Sequence, residues 1–323
     1  MNFKLSEILE GNKTVALGGH IRPDGDCVGS CMGLYLYLIE HFPEICVDVY
    51  LEPIADCFEM IHKTEMIKNE VAESKKYDLF ICLDCGDVDR LGFSSVLFEN
   101  AVHTACIDHH ISNHAFAEKN YIVPEASSTS ELVYNLLDTD KISKECAEAL
   151  YMGIAHDTGV FQYSCTAPET MEAAADLLRK GIDGNEIIDK TYYEKSYVQA
   201  QILGKALLES FLMLDEKCIV SWISQKDLDF FGAKPSDLDG IVSVLRETKG
   251  TEVAVFLYEL EANTYKVSLR SKGKVNVSQI AQRFGGGGHV RAAGVTMRGT
   301  AYDVVNRITE QVSLQLEGNG ETA

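Results

Sequence analysis

Short continuous apolar runs alternate along the first half of the chain with longer stretches whose apolar residues recur at helical spacing. The runs KTVALGGHI (13–21), VDVYLEP (47–53), YDLFICLD (77–84) and HTACID (103–108) predict strands, buried on both faces where no alternation is visible. Between and after them, DCVGSCMGLYLYLIEHF (26–42), SSTSELVYNLL (127–137), KECAEALYMGIAHD (144–157) and PETMEAAADLLRKG (168–181) predict helices. Ser128 and Glu131 have the spacing of a capping box, and Pro168 suits a first helical turn. Such alternation implies an α/β domain with a mostly parallel sheet. Residues 187–210 read as a helical connector. Beyond it, strand patterns at 211–224, 251–262, 265–271 and 293–299 mix with helical patterns at 235–249, 277–284 and 301–317. A second, smaller α/β domain with a mixed sheet is expected there, with a cleft between the two domains.

Composition narrows the class. With 323 residues, 46% hydrophobic and 24% charged, six prolines and no repeat, the chain suits two soluble globular domains. No apolar run approaches the ~20 residues of a membrane span, and MNFKLSEILEGNK lacks the blocks of a signal peptide. No membrane association is expected, and the expected location is cytoplasmic. Ten cysteines without framework spacing agree with a reducing compartment. Cys82 and Cys85 form a CxxC, but strand parity would send them to opposite faces, and no second pair exists to complete a zinc site. They read as core, as do Cys27 and Cys31 at helical i, i+4 spacing. The net charge of −20 argues against holding long nucleic acid on an extended basic surface. Short substrates held by metal ions and a few cations remain open.

The chemistry gathers where strands end. His20, Asp24 and Asp26 follow the first strand, Asp84 and Asp87 the third, and Asp108, His109 and His110 the fourth; His156 and Asp157 close a helix. Each cluster alone has a structural explanation: a turn and N-cap at Asp24-Gly25-Asp26, a cap at Asp87, surface histidines at 109 and 110. Ligands in parallel sheets collect beyond the carboxyl ends of strands, so the clusters are expected to converge. So many carboxylates and imidazoles together require compensating cations, and mixed oxygen and imidazole donors suit manganese, iron or zinc. Two ions about 3.5–4 Å apart would need a bridging carboxylate. The run Gly285 to Gly288 is not a Walker loop, since no GK[ST] follows. It reads as a tight turn or an anion nest, with His289 and Arg291 as adjacent donors.

Together, HIRPDGDCVGS, LDCGD, IDHH, HDTG and RFGGGGHVRAAG resemble, in order and over roughly residues 15–315, the DHH phosphoesterases that carry a C-terminal DHHA1 domain. The resemblance implies a DHH catalytic domain over 1–184, the connector over 185–212, a DHHA1 substrate-binding domain over 213–318 and a disordered tail at 319–323. By the same resemblance His20 and Asp24 would hold one Mn2+, Asp26, His109 and Asp157 a second, and Asp84 would bridge them. His110 would face the substrate phosphate, with Asp108 supporting the histidine pair. Gly286, Gly287 and Gly288 with His289 would grip the substrate, helped by Arg270 and Arg291. Asp87 has no place in that pattern beyond a cap, and His156 sits beside the ligands without an assigned role. The compact two-domain length resembles the branch that hydrolyses short oligoribonucleotides to mononucleotides and dephosphorylates 3'-phosphoadenosine 5'-phosphate (pAp), with linear dinucleotides such as pApA as further substrates. The alternatives are a soluble cyclic di-AMP/pApA phosphodiesterase and, lower, a non-catalytic nucleotide sensor, whose signature would be lost ligands. The apolar helices of the first domain leave room for a homodimer.

Overall fold

The apolar runs of the first half become one sheet. The computed structural model describes residues 4–71 and 75–318, so the expected tail at 319–323 lies outside the described residues. Six strands, β1 (Thr14–Gly18), β2 (Cys46–Tyr50), β3 (Ile67–Lys68), β4 (Leu79–Leu83), β5 (His103–Asp108) and β6 (Lys119–Ile122), pair in parallel in the order β3-β2-β1-β4-β5-β6. The order reverses between β1 and β4. Loops leaving these two strands therefore diverge and open a crevice at their carboxyl ends.

Helices α1 (Leu5–Leu9), α2 (Gly25–His41), α3 (Ser95–Asn100), α4 (Thr129–Leu136), α5 (Lys144–Asp157), α6 (Pro168–Arg179) and α7 (Gly184–Ile188) belong to the same unit. Val15, Leu17, Leu79, Ile81, Leu83 and Ile107 point to the face packed by α2 and α4, with α5 and α6 packed on those helices in the same apolar cluster. Ala16, Phe80, Cys82 and Cys106 point to the other, against Leu91, Leu97 and Phe98. Burial on both faces explains the unbroken apolar strands. Helices α2 and α5 approach at backbone distance: a Cβ on Gly29 would lie 2.6 Å from the Ala149 carbonyl oxygen and 2.9 Å from Gly153 Cα.

The chain divides into two compact units at Glu194 and Lys195. The second unit holds a six-stranded sheet, β7 (Phe211–Met213), β8 (Cys218–Ile223), β9 (Val253–Glu261), β10 (Thr264–Ser271), β11 (Gly287–His289) and β12 (Ala292–Arg298), ordered β11-β12-β10-β9-β8-β7. Only β8 and β9 are parallel; the other pairs are antiparallel. Residues of α8 (Tyr197–Leu208), α9 (Gln225–Phe231) and α10 (Ile241–Arg246) cluster with Ile219, Ile223, Ala254 and Phe256 on one face. Those of α11 (Val277–Arg283) and α12 (Ala301–Leu316) cluster with Val220, Val255 and Val267 on the other.

Several expectations are corrected. Residues 187–210 are not one helix: a π-type turn, Asp189–Tyr193, follows α7, and Ser196 starts α8 with a reciprocal capping box to Gln199. Residues 211–224 form a hairpin, because Leu214, Asp215 and Glu216 all take positive φ. Residues 235–249 break at Gly240, where φ is +83°. The capping box at Ser128 closes on one side only, since Ser128 Oγ accepts the Glu131 N–H at 3.0 Å while the Glu131 carboxylate turns to Ser127. Cys82 and Cys85 do not point to opposite faces: β4 ends at Leu83 and Asp84 takes φ +53°, so Cys85 folds back beside Cys82 and its register partner Cys106.

Candidate metal centre

Each donor of the centre is placed by the end of an element. Leaving β1, the chain passes so close to its neighbours that a Cβ on Gly19 would sit 2.3 Å from Cys27 Sγ. His20 follows directly, and its Nδ1 pairs with the Ile21 carbonyl at 2.8 Å, which turns Nε2 inward. Nε2 lies 3.6 Å from Asp24 Oδ1 and 3.4 Å from Asp84 Oδ2. Asp24 also caps α2, its Oδ1 accepting the N–H groups of Asp26 and Cys27 at 3.1 Å each. One turn thus serves as cap and as donor set.

Asp84 stands just past β4, 2% exposed and in left-handed backbone. Aspartate tolerates that conformation better than most residues. Its Oδ1 lies 3.6 Å from His109 Nε2 and 3.7 Å from His110 Nδ1. His109 Nε2 is also 3.0 Å from Asp157 Oδ2, carried on the last turn of α5. Among the described residues, the donor atoms within each of three groups lie within 4.8 Å of one another: His20, Cys27 and Asp84; Asp84, His109 and His110; Asp26, His109 and Asp157. Asp84 is common to the first two. Carboxylate oxygen with imidazole nitrogen is a donor set that fits manganese, iron or zinc.

Charge in the cluster is unbalanced without cations. Burial opposes protonation of His20, but the Asp24 and Asp84 carboxylates prevail and raise its pKa to about 11. Burial likewise opposes the charge of His109, yet Asp157, Asp26 and Asp84 raise it to about 10. Burial, then Asp84 and Asp157, push Asp26 well above the usual carboxylate range. Asp157 is raised by burial and Asp84, while Asp24 falls to about 2 through His20 although burial acts the other way. In metal-free protein, protons take up the compensation that cations would supply.

Other residues support these. Asp108 is fully buried; its Oδ1 accepts from His110 Nδ1 at 2.7 Å and from the His109 N–H at 2.9 Å, and its Oδ2 from Asn113 Nδ2 at 2.7 Å. That contact raises the His110 pKa and holds the Asp108 carboxyl low despite burial. Asp87 lies outside the donor groups and caps a 3-10 turn, accepting from the Asp89 N–H at 2.9 Å. His156 turns away from Asp157: Nε2 meets Thr191 Oγ1 at 3.0 Å, and the ring packs on Phe58 and Tyr192. Burial lowers its pKa to about 4, so it is a neutral packing residue. Sequence reasoning missed Asn113, Thr129 and Ser130 and read Cys27 only as core. For the α4 residues a signal existed in five polar residues in succession, SSTSE, ahead of an apolar run.

In the second unit, the glycine run lines a tight hairpin. A Cβ on Gly286 would sit 2.3 Å from the Gly294 carbonyl oxygen, and one on Gly288 2.5 Å from that of Ala292. Gly287 has open space beside it. Register pairs His289 with Ala292 and Ala292 with Arg270, which places all three on one face of the sheet, in a row across β11, β12 and β10. His289 and Arg291 are exposed, and Arg270 is half-buried, donating to the Leu269 carbonyl at 3.0 Å.

Comparison with known proteins agrees with this architecture. Residues 14–154 match the model of the DHH family, N-terminal domain, and residues 215–318 that of the DHHA1 domain. The bifunctional oligoribonuclease and PAP phosphatase NrnA of Thermus thermophilus is 30% identical over 98% of this chain and 94% of its own length. The protein of the same name from Bacillus subtilis is 27% identical over 95% and 96%. An exopolyphosphatase-related protein from Bacteroides fragilis superposes with a TM-score of 0.89 at 27% identity, over 98% of this chain and 96% of its own. No helix among the described residues is long and apolar enough to cross a membrane. The chain therefore belongs to the DHH family of phosphoesterases, with a DHHA1 domain following the DHH domain.

Proposed function

We propose that the chain hydrolyses short oligoribonucleotides to mononucleotides and removes a phosphate from pAp, using two manganese ions, in the cytoplasm. The observation that carries the two-ion reading is the position of Asp84, whose Oδ2 faces His20 Nε2 at 3.4 Å while its Oδ1 faces His109 Nε2 at 3.6 Å. His20, Asp24 and Asp84 would hold one ion; Asp26, His109, Asp157 and Asp84 the other. When bound, such a pair supplies Lewis-acid charge to phosphoryl oxygens and a water acidic enough to attack near neutral pH.

The chain's own groups do the rest. His110 Nδ1 is taken by Asp108, which leaves Nε2 to donate to a phosphoryl oxygen. Asp108 favours the cationic imidazole and so keeps that proton in place. His289 and Arg270, sharing a sheet face, present donors to an anionic substrate, and Gly287 leaves room for it against the backbone. A net charge of −20 suits a substrate short enough to be held by these few groups. The full-length match to relatives named for both activities supports the same substrates.

The test is product release from a five-nucleotide RNA, pAp, cyclic di-AMP and pyrophosphate, side by side, with Mn2+ and with chelator. Cleavage of RNA and pAp that chelator abolishes is the expected result. Activity confined to cyclic di-AMP would replace the reading with a cyclic-dinucleotide phosphodiesterase, and silence on all four would point to a sensor.

A further inference from the structure

Five consecutive polar residues, Ser127 to Glu131, are buried, the most exposed of them at 5%. Burying that many polar groups is unfavourable unless each finds a partner. Ser127 and Thr170 hydroxyls donate to Glu131 Oε2 at 2.5 and 2.8 Å, and Ser128 caps α4. These contacts tie the turn to itself and to α6.

The remaining two residues reach the donor cluster. The N–H groups of Thr129 and Ser130 grip Asp26, at 2.7 Å to Oδ2 and 2.8 Å to Oδ1. Thr129 Oγ1 lies 3.1 Å from Asp84 Oδ1, the oxygen that also faces His109 and His110. A carboxylate oxygen accepts more than one partner, so one lone pair can take the hydroxyl while another faces a cation. Asp84 has left-handed backbone and no strand bonds beyond its own N–H to the Ile107 carbonyl at 3.1 Å. Its carboxylate needs a fixed partner to keep its aim.

We infer that Thr129 is a positioning residue of the metal centre, its hydroxyl orienting Asp84 while the first turn of α4 fixes Asp26. The inference rests on the two-ion reading above. Groups that orient metal ligands in this way typically contribute about 10–100-fold in metal affinity.

The experiment is calorimetric titration of Mn2+ into chelator-stripped full-length protein, as wild type, Thr129→Val and Thr129→Ser. Thr129→Val should bind Mn2+ about 10–100-fold more weakly, and Thr129→Ser, which keeps the hydroxyl, should bind close to wild type. Thr129→Ala supplies a second hydroxyl-free side chain should valine disturb folding. Equal affinity in wild type and the hydroxyl-free variants overturns the inference and leaves the two-ion reading intact. A lower Tm with unchanged affinity assigns the hydroxyl to folding alone and also overturns it. Failure of the wild type to bind Mn2+ overturns both.

Discussion

Replacing Asp84 by asparagine removes one negative charge from the middle of the centre and changes little else. The amide keeps an oxygen that can accept from Thr129, and asparagine, like aspartate, tolerates the φ of +53° found there. The charge itself is what is lost. Asp84 lies 3.4 to 3.7 Å from three imidazole nitrogens, its Oδ2 toward His20 and its Oδ1 toward His109 and His110. At 4 Å and an effective dielectric constant of ~20, one pair of unit charges is worth about 4 kcal/mol. That is close to three powers of ten in an equilibrium constant, and a divalent ion on either side would lose at least as much. Asp84→Asn should therefore lower kcat/KM on a five-nucleotide RNA by about a thousandfold or more, and Mn2+ titration should show occupancy lost within the same range. Circular dichroism should be unchanged. A variant retaining kcat/KM within tenfold of wild type, with two ions bound, would show that Asp84 does not bridge them.

In chelator, thermal melts across pH should expose the proton compensation. His20 and His109, raised from 6.5 to about 11 and about 10, contribute stability that is complete below 6.5 and is lost as pH rises through those values. Asp26 and Asp157, also raised, add in the same sense, since ionising them in the fold is unfavourable. Asp24, lowered from 3.8 to about 2, contributes above 3.8 and loses its share as pH falls toward 2. The metal-free Tm should thus be highest in mildly acidic solution, and a Tm climbing steadily from neutral to alkaline pH would contradict charged imidazoles. His289→Ala should raise KM by about 10–100-fold, the loss of one hydrogen bond to a charged group, with Mn2+ content unchanged. Loss of the ions in that variant would place His289 in the wrong role.

Where burial is symmetrical, the sequence speaks plainly. β5 and α5 have the bounds read from residues alone, His103–Asp108 and Lys144–Asp157. The edge strands did not announce themselves: β3 is two residues long, and β6 reads KNYI with no fully buried side chain. Cys85 defeated strand parity because one residue in left-handed backbone reverses the count. At the centre, charged residues at strand ends were visible because only ends offer a reason for them. Thr129 and Ser130 were not, since a polar run before a helix has the ordinary appearance of a cap, and nothing local reveals that its amides face Asp26 across more than a hundred residues of chain.

The crossing of α2 and α5 carries a consequence for how the centre tolerates variation. Asp26 sits on the first turn of α2 and Asp157 on the last turn of α5. Between them, Gly29 faces the main chain at Ala149 and Gly153 with no side chain interposed. Such contact works as a fixed gauge: no rotamer can flex to absorb a shift, so the spacing of the two carboxylates is set by the main chain itself. A methyl group added at Gly29 would press on the α5 main chain and act on the centre from beneath, and one added at Gly153 would reach Asp26 Oδ1 itself, at 2.9 Å.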